Sequence, residues 1–180
     1  VIHGGDYGDT IRAGAGNDVI RSQDDASTDN FWGEAGSDTF DFQTRNFGND
    51  IIRDFTVGVD KIDLSALFIS DLNQLLPYMS DTAQGVLIDT FYGYSTESIT
   101  LSGVTLAQLS ASDFVFDVDT NGRTINGSNR TDLIFGTLGN DVIHGGDYGD
   151  TIRAGAGNDV IRSQDDASTD NFWGEAGSDT

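Results

Sequence analysis

The sequence predicts a mainly all-β chain: a parallel β-roll joined to a compact, mostly-β module with short helical turns. Three observations carry that prediction. Residues 1–39 and 142–180 are the same 39 residues letter for letter, offset by 141. Within each copy a nine-residue period of glycine, aspartate and one large apolar residue recurs. Between the copies, roughly 42–120, glycine thins out and apolar residues alternate or cluster as in ordinary strands. Self-similarity at a fixed period marks stacked repeats, in which each unit buries its apolar side against its neighbours. The organisation expected is therefore an array of 141-residue units, sampled out of register, with a roll at 1–41, a central module at 42–120 and a second roll at 121–180.

The first copy reads GGDYGDTIR (4–12), AGAGNDVIR (13–21), an eleven-residue variant SQDDASTDNFW (22–32) and GEAGSDTFD (33–41). The second reads GSNRTDLIF (127–135), GTLGNDVIH (136–144), GGDYGDTIR (145–153), AGAGNDVIR (154–162), SQDDASTDNFW (163–173) and GEAGSDT (174–180). The underlying pattern is G-G-x-G-x-D-x-U-x, where U is apolar. Glycine permits the positive-φ turn and the close backbone approach of a tight loop. The three residues after each Asp form a short strand whose middle side chain points inward. Those positions hold Ile11, Ile20, Phe31 and Phe40, then Ile134, Ile143, Ile152, Ile161 and Phe172. Two motifs make one coil of 18 residues, and successive coils stack as parallel strands.

In the central segment VLIDTF (86–91), SITLSGV (98–104) and DFVFDV (113–118) read as strands, whereas LSALFISDLNQLL (64–76) and TLAQLSASD (105–113) carry helical turns.

Charge explains what the turns are for. Strands ~4.8 Å apart bring the aspartates of successive coils together. Two like charges at that spacing repel by ~1 kcal/mol in water, and several times more at an effective dielectric of ~20. Without a cation this ladder opposes folding; a divalent ion between coils reverses the sign. The composition agrees: 27 of the 30 acids are Asp, and only Glu34, Glu97 and Glu175 are Glu. Asp is short, tolerates turns and can aim a carboxylate at a cation from a tight loop. Low apolar content (37%) and a net charge of −21 favour disorder when no cation is bound. The same charge argues against nucleic acid and anionic membrane surfaces as partners. No apolar run has membrane-spanning length, so no membrane insertion is expected. Cysteine is absent, which rules out disulfides and Cys-based zinc sites and leaves a metal as the available staple.

Catalytic motifs are missing: neither H-E-x-x-H nor G-x-S-x-G occurs. His3 and His144 are one residue in two copies, at an outward strand position. Glu97 and Asp89 read as solvated surface acids rather than a glycosidase pair. Phe91, Tyr92 and Tyr94 suit strand packing and sugar stacking equally. No catalysis is expected within this chain.

The nonapeptides resemble the RTX (repeats-in-toxin) family, whose glycine–aspartate repeats bind calcium in a parallel β-roll. The stretch NDIIRDFTVGVDKIDLSAL (49–67) resembles the module that follows the roll in serralysin-type proteases and mannuronan C5-epimerases. The RTX resemblance implies several Ca2+ ions, each between turns two motifs apart. One turn gives carbonyls from motif positions two and four, the other from positions one and three, and both give the Asp. One implied site joins Gly155, Gly157 and Asp159 to Gly174, Ala176 and Asp179. Its twin joins Gly14, Gly16 and Asp18 to Gly33, Ala35 and Asp38. A third joins Thr137, Gly139 and Asp141 to Ala154, Ala156 and Asp159, and Asp9, Asp132, Gly145, Asp147 and Asp150 complete the implied ligands. All-oxygen ligation of this kind suits Ca2+ over Mg2+ or Zn2+. Six such ions would bring the formal charge from −21 to −9, enough to make calcium a folding switch.

Three places depart from the pattern. Tyr7 and Tyr148 replace the position-four glycine. The insertions at Asp24-Asp25 and Asp165-Asp166 either bulge out or build a separate ion site. Asn129-Arg130 marks 127–135 as a capping coil. The resemblance as a whole implies a calcium-binding structural repeat of a large secreted or cell-surface protein (stalk, fibre, adhesin or surface layer), exported through a type I channel. Its partners would be neighbouring copies of the same repeat, joined head to tail. The alternative is a calcium-dependent folding and polysaccharide-binding module of a secreted epimerase or protease.

Overall fold

The computed structural model describes residues 1–23, 25–43, 47–92, 95–163 and 167–180; for 90–92 and 95–96 it describes the backbone. In chain order the strands of the first half are β1 (Ile2–His3), β2 (Thr10–Arg12), β3 (Val19–Arg21), β4 (Asn30–Trp32), β5 (Thr39–Asp41), β6 (Asn49–Ile52), β7 (Lys61–Asp63), β8 (Met79–Asp81), β9 (Gly85–Tyr92), β10 (Ser95–Ser102) and β11 (Phe114–Val115). The second half adds β12 (Thr124–Asn126), β13 (Leu133–Phe135), β14 (Val142–His144), β15 (Thr151–Arg153), β16 (Val160–Arg162) and β17 (Asn171–Trp173).

The glycine-rich motifs give three-residue strands because only the x-U-x segment between turns has side chains to pack. These strands alternate between two parallel sheets, as a coil of two motifs requires. One sheet runs β1-β3-β5-β7-β11 and the other β2-β4-β6-β10-β9-β8, with β10-β9 and β9-β8 antiparallel. Register aligns the inward residues into two stacks: Ile2, Ile20, Phe40, Ile62 and Phe114 in one sheet, Ile11, Phe31, Ile52 and Leu101 in the other. The strand ladder thus runs past residue 41 without a break. Strands of the central module supply the last members of both stacks, Phe114 and Leu101, so the module closes the trailing end of the first roll.

Helical turns appear where the apolar pattern of 64–76 and 105–113 suggested them: 3-10 turns at Ser65–Leu67, Leu76–Tyr78, Leu106–Gln108 and Ala111–Asp113, and a short helix α1 at Leu72–Leu75. The Asp71 carboxylate caps α1 by accepting from the Gln74 N–H at 2.9 Å.

The second roll repeats the architecture in two three-stranded parallel sheets, β12-β14-β16 and β13-β15-β17. Its stacks are Ile125–Ile143–Ile161 and Ile134–Ile152–Phe172. It leans on the central module through outward residues. Leu133 and Phe135 flank the inward Ile134, yet both are buried in the main core. Phe135 meets Tyr78 edge-on, ring centroids 5.7 Å apart.

The register keeps Ile161 and Phe172 at inward positions, with Ile161 partly buried and Phe172 44% exposed. Its identical counterpart Phe31 is 1% exposed, since β6 stacks above it and Phe40 and Phe42 pack at 6.4 and 6.5 Å. No described strand pairs with the trailing side of β17. In a roll, burial is a property of the next coil as much as of the residue.

This contrast is measurable in one chain. Phe31→Ala is expected to cost about 3–5 kcal/mol, the range for a buried phenylalanine, and Phe172→Ala under about 1 kcal/mol. Denaturant unfolding in calcium checks both; equal losses would refute the unequal burial.

Candidate metal centre

The turns between strands place the motif aspartates in register along the edges of both rolls. In eight pairs of coils one carboxylate oxygen, Oδ1, accepts a hydrogen bond from the backbone N–H of the Asp one coil earlier, and Asp141 accepts in the same way from Arg123. The Asp9 N–H donates to Asp29 at 2.7 Å, Asp18 to Asp38 at 2.9 Å, Asp29 to Asp50 at 2.9 Å and Asp38 to Asp60 at 3.0 Å. In the second roll Asp132 donates to Asp150 at 2.9 Å, Asp141 to Asp159 at 2.8 Å, Asp150 to Asp170 at 2.9 Å and Asp159 to Asp179 at 3.1 Å. The implied aspartate pairs 18/38, 141/159 and 159/179 are therefore direct neighbours.

Asp29, Asp50, Asp60 and Asp170 belong to the same ladders, although sequence reading did not select them. Their signal was present: GNDIIR (48–53) echoes GNDVIR (16–21), and GVDKID (58–63) keeps Gly-x-Asp-x-Ile. For Asp29 and Asp170 the two-residue insertion upstream hid the motif phase.

The second oxygen, Oδ2, divides the aspartates into two kinds. At Asp132 it accepts from the Ser128 N–H (2.6 Å) and hydroxyl (2.9 Å), and at Asp141 from the Thr137 N–H (2.6 Å) and hydroxyl (3.1 Å). Asp50 is served by the Ser22 hydroxyl at 2.7 Å and Asp60 by the Thr56 N–H at 2.7 Å. At Asp9, Asp38 and Asp159, by contrast, Oδ2 is buried with no hydrogen-bond partner. A buried carboxylate oxygen without a donor costs several kcal/mol unless a cation meets it. The first kind is satisfied by the chain itself: at Asp132, Asp141 and Asp60 by the residue at motif position two, and at Asp50 by Ser22 from another coil.

Backbone hydrogen bonds join the turns that the implied sites would share. Ala35 O accepts from the Gly16 N–H (2.8 Å) and Gly14 O from the Ala35 N–H (3.0 Å), joining turn 14–18 to turn 33–38. Ala176 O and Gly155 O repeat this with Gly157 and Ala176 at 2.8 and 3.0 Å. Thr137 O accepts from Ala156 at 3.1 Å, bringing 137–141 onto 154–159. Gly139 is buried in that turn and donates to the Thr137 hydroxyl at 3.1 Å. Gly145 lies against the Asp150 carboxylate, whereas Asp147 is exposed and only its N–H turns inward, to Ser128 O at 3.2 Å. Two glycine positions are crowded, the first by a carboxylate and the second by backbone. A Cβ on Gly33 or Gly174 would lie 2.3 or 2.2 Å from Oδ2 of Asp38 or Asp179, and one on Gly36 or Gly177 would lie 1.7 or 1.5 Å from the carbonyl oxygen of Gly16 or Gly157. Tyr7 and Tyr148 keep the turn despite their side chains, at φ 72° and 70°.

Among the described residues no three His, Cys, Asp or Glu converge on one point. Hard oxygen donors in a flexible turn fit Ca2+.

Electrostatics agree with that fit. Burial, helped by Asp29 and Asp25 nearby, pushes the Asp50 carboxyl up to about 7. Burial and the flanking charges of Asp141 and Asp179 raise Asp159 to about 6. Asp29 and Asp38 are raised for the same reasons, burial first.

Two other acidic expectations resolve differently. Glu97 is 1% exposed rather than solvated, and register pairs it with Thr90 while Asp89 pairs with Ser98. Adjacent strand positions point to opposite faces, so Glu97 and Asp89 cannot face one substrate. Asp24, Asp165 and Asp166 lie outside the described residues, as do the side chains of Phe91, Tyr92 and Tyr94. His3 is exposed and its Nδ1 meets Gln23 Nε2 at 2.9 Å.

The raised carboxyls set a pH dependence. In chelator, the stability that protonated Asp50 contributes is complete below its ordinary value of 3.8 and is lost as pH rises through about 7. For Asp159 the loss runs through about 6. Metal-free chain is expected to be more stable at about pH 5 than at about pH 8, with the order reversed in calcium because the cation needs the charged form. Thermal unfolding in both buffers checks this, and a metal-free chain that gains nothing on acidification would count against buried ladder carboxyls.

Comparison with known families matches this geometry. The family described as peptidase M10 serralysin C terminal matches residues 8–135, more than half of the chain. The RTX calcium-binding nonapeptide repeat matches three overlapping windows, 126–161, 135–170 and 144–180. No curated protein and no solved structure matches the chain. Both families are structural modules of secreted proteins rather than catalytic ones. The chain belongs to the peptidase M10 serralysin C-terminal family, and its second roll is built from RTX calcium-binding nonapeptide repeats.

Proposed function

We propose that this chain is a calcium-folded structural unit of a repetitive secreted protein, in which calcium converts an acidic, self-repelling polypeptide into a rigid rod segment. The observation that carries this reading is the row of buried aspartate oxygens at Asp9, Asp38 and Asp159 that no protein donor reaches. The ions would be held by Asp18 and Asp38 with the carbonyls of Gly14, Gly16, Gly33 and Ala35. In the second roll they would be held by Asp159 and Asp179 with those of Gly155, Gly157, Gly174 and Ala176. Bound calcium supplies positive charge between carboxylates that otherwise repel. The chain's own part is to hold those carboxylates in register, exclude water from them and stack their coils.

Repetition of 39 identical residues at a spacing of 141 supports a role in which length and multivalency matter, such as a stalk, fibre or surface layer. Extracellular calcium concentrations, far above those inside the cell, would leave the chain unfolded until it is exported.

A calcium titration of EDTA-stripped chain, followed by far-ultraviolet circular dichroism, tests the reading. A coil-to-β transition is expected. Asp38→Asn should raise its calcium midpoint roughly tenfold, equivalent to about 1.4 kcal/mol. Asp147→Asn, whose carboxylate is exposed, should leave the midpoint unchanged. Folding that ignores calcium would overturn the proposal.

A further inference from the structure

The aspartate turns come in two backbone forms, and the residue at motif position two separates them. In one form the N–H of that residue points at the aspartate of its own turn. The Thr56 N–H donates to Asp60 Oδ2 at 2.7 Å, Ser128 to Asp132 at 2.6 Å and Thr137 to Asp141 at 2.6 Å. None of these three residues has a positive φ. Hydroxyls reinforce the closure at Asp132 and Asp141, at 2.9 and 3.1 Å. In the other form position two lies in the left-handed region: Gly5 at φ 104°, Glu34 at 65° and Gly155 at 93°. The aspartates of those turns are Asp9, Asp38 and Asp159, and Oδ2 of each is buried with no hydrogen-bond partner.

Reversing the sign of φ flips the peptide plane before the residue, as between type I and type II turns. The flip swings the N–H away from its own aspartate. Glu34 shows where it goes: its N–H donates to Asp54 Oδ2 of the next coil at 3.0 Å. Asp38 and Asp159 lose this donor yet stay buried, each 1% exposed, so an unanswered charge is left in a dry turn. Ser and Thr carry a Cβ that resists positive φ, whereas glycine adopts it freely. The two forms are also sorted along the chain. Thr56, Ser128 and Thr137 lie outside the 39 repeated residues, and Gly5, Glu34 and Gly155 lie inside them.

We propose that position two selects between a turn that takes calcium and a turn that does not. Gly or Glu at positive φ leaves Oδ2 to a cation; Ser or Thr closes the turn and puts a chain donor in the cation's place. This rests on the calcium reading above and narrows it. The site that the repeat pattern implies at Thr137, Gly139 and Asp141 against Ala154, Ala156 and Asp159 holds no ion. The Thr137 N–H and hydroxyl already occupy the Asp141 oxygen that such an ion needs. Asp60 and Asp132 are closed in the same way. Asp159 instead serves an ion shared with the later turn at 174–179. Calcium therefore organises the repeated segments, and the three closed turns between them answer their own aspartates.

Counting bound calcium on the full chain, by equilibrium dialysis at saturating calcium, tests the assignment. T137G frees its turn to adopt positive φ and should bind about one more ion per chain than the unsubstituted protein. T137A loses the hydroxyl but keeps the Cβ and the N–H, and should bind no more than the unsubstituted protein. In the other direction, a Cβ on Gly155 at φ 93° would lie 2.2 Å from Thr137 O. G155T is thereby driven to the closed form and should bind about one ion fewer. Circular dichroism establishes that each variant is folded before its ions are counted. Equal counts for T137G and T137A overturn the proposal, and so does a folded G155T with the full count. Should one of T137G and G155T fail to fold, the other decides alone. An unsubstituted chain that binds no calcium fails the reading on which this rests. A chain that binds calcium with one count in all variants fails the assignment of position two alone.

Discussion

Stacking parallel coils one strand spacing apart forces every turn aspartate to sit above another. The architecture gains two continuous apolar stacks from this repetition and inherits two columns of like charge with them. The chain manages the columns in three ways. Oδ1 of Asp29, Asp38, Asp159 and their ladder neighbours is tied to the N–H of the coil before, so half of each such acid does the work of a β-ladder acceptor. Where a Ser or Thr stands nearby, Oδ2 is tied as well, as at Asp132, Asp141 and Asp50. Where glycine or glutamate holds motif position two, as at Asp9, Asp38 and Asp159, nothing in the protein answers Oδ2. Among these aspartates the unanswered oxygens therefore lie in the regular turns and not in the coils that carry their own donors.

That division follows the position of the hydroxyl-bearing motifs. Ser128 and Thr137 lie in 127–135 and 136–144, the leading motifs of the second roll. Asp50 and Asp60 lie where the first roll meets the central module. Both are boundaries, where one side of a turn lacks a regular neighbour and an ion would lose half its ligands. A covalently linked donor is always present there, whereas an ion shared between two turns is not.

Much of this was legible in the sequence because periodicity states both the strand and its inward residue. Ile20, Phe40, Ile134 and Ile143 occupy the interior stacks that their motif position assigns. The illegible parts share one physical cause, dependence on the neighbouring coil. Phe172 has the sequence of Phe31 but lacks its neighbours. Asp29 and Asp170 were hidden because two inserted residues shift the phase without moving the strand that follows. The hydroxyl donors escaped notice because position two was read for its carbonyl alone. Tyr7 departs from the glycine pattern, yet it adopts φ 72° with its ring in solvent; an exposed side chain leaves only the local backbone strain to bear, of order 1–2 kcal/mol.

The central module solves the problem that a roll creates at its end. Parallel strands of three residues leave unpaired N–H and C=O groups and an open apolar stack, an invitation to unplanned pairing. Here β10 joins β6 in parallel and then turns back through β9 and β8, converting a repetitive ladder into an antiparallel hairpin that no further coil can continue. Phe114 and Leu101 cap the two stacks from above. Arg123, stacked 4.6 Å over Phe68 and paired with Asp117 and Asp119, then starts the next roll on the module's flank instead of its summit. The hydrogen bonds and ion pair hold Asp119 near 2, so this pivot stays charged throughout the pH range in which the ladder carboxyls titrate. The second roll is consequently held on the module's flank by the contacts of Arg123 with Phe68, Phe135 with Tyr78 and Arg153 with Tyr78.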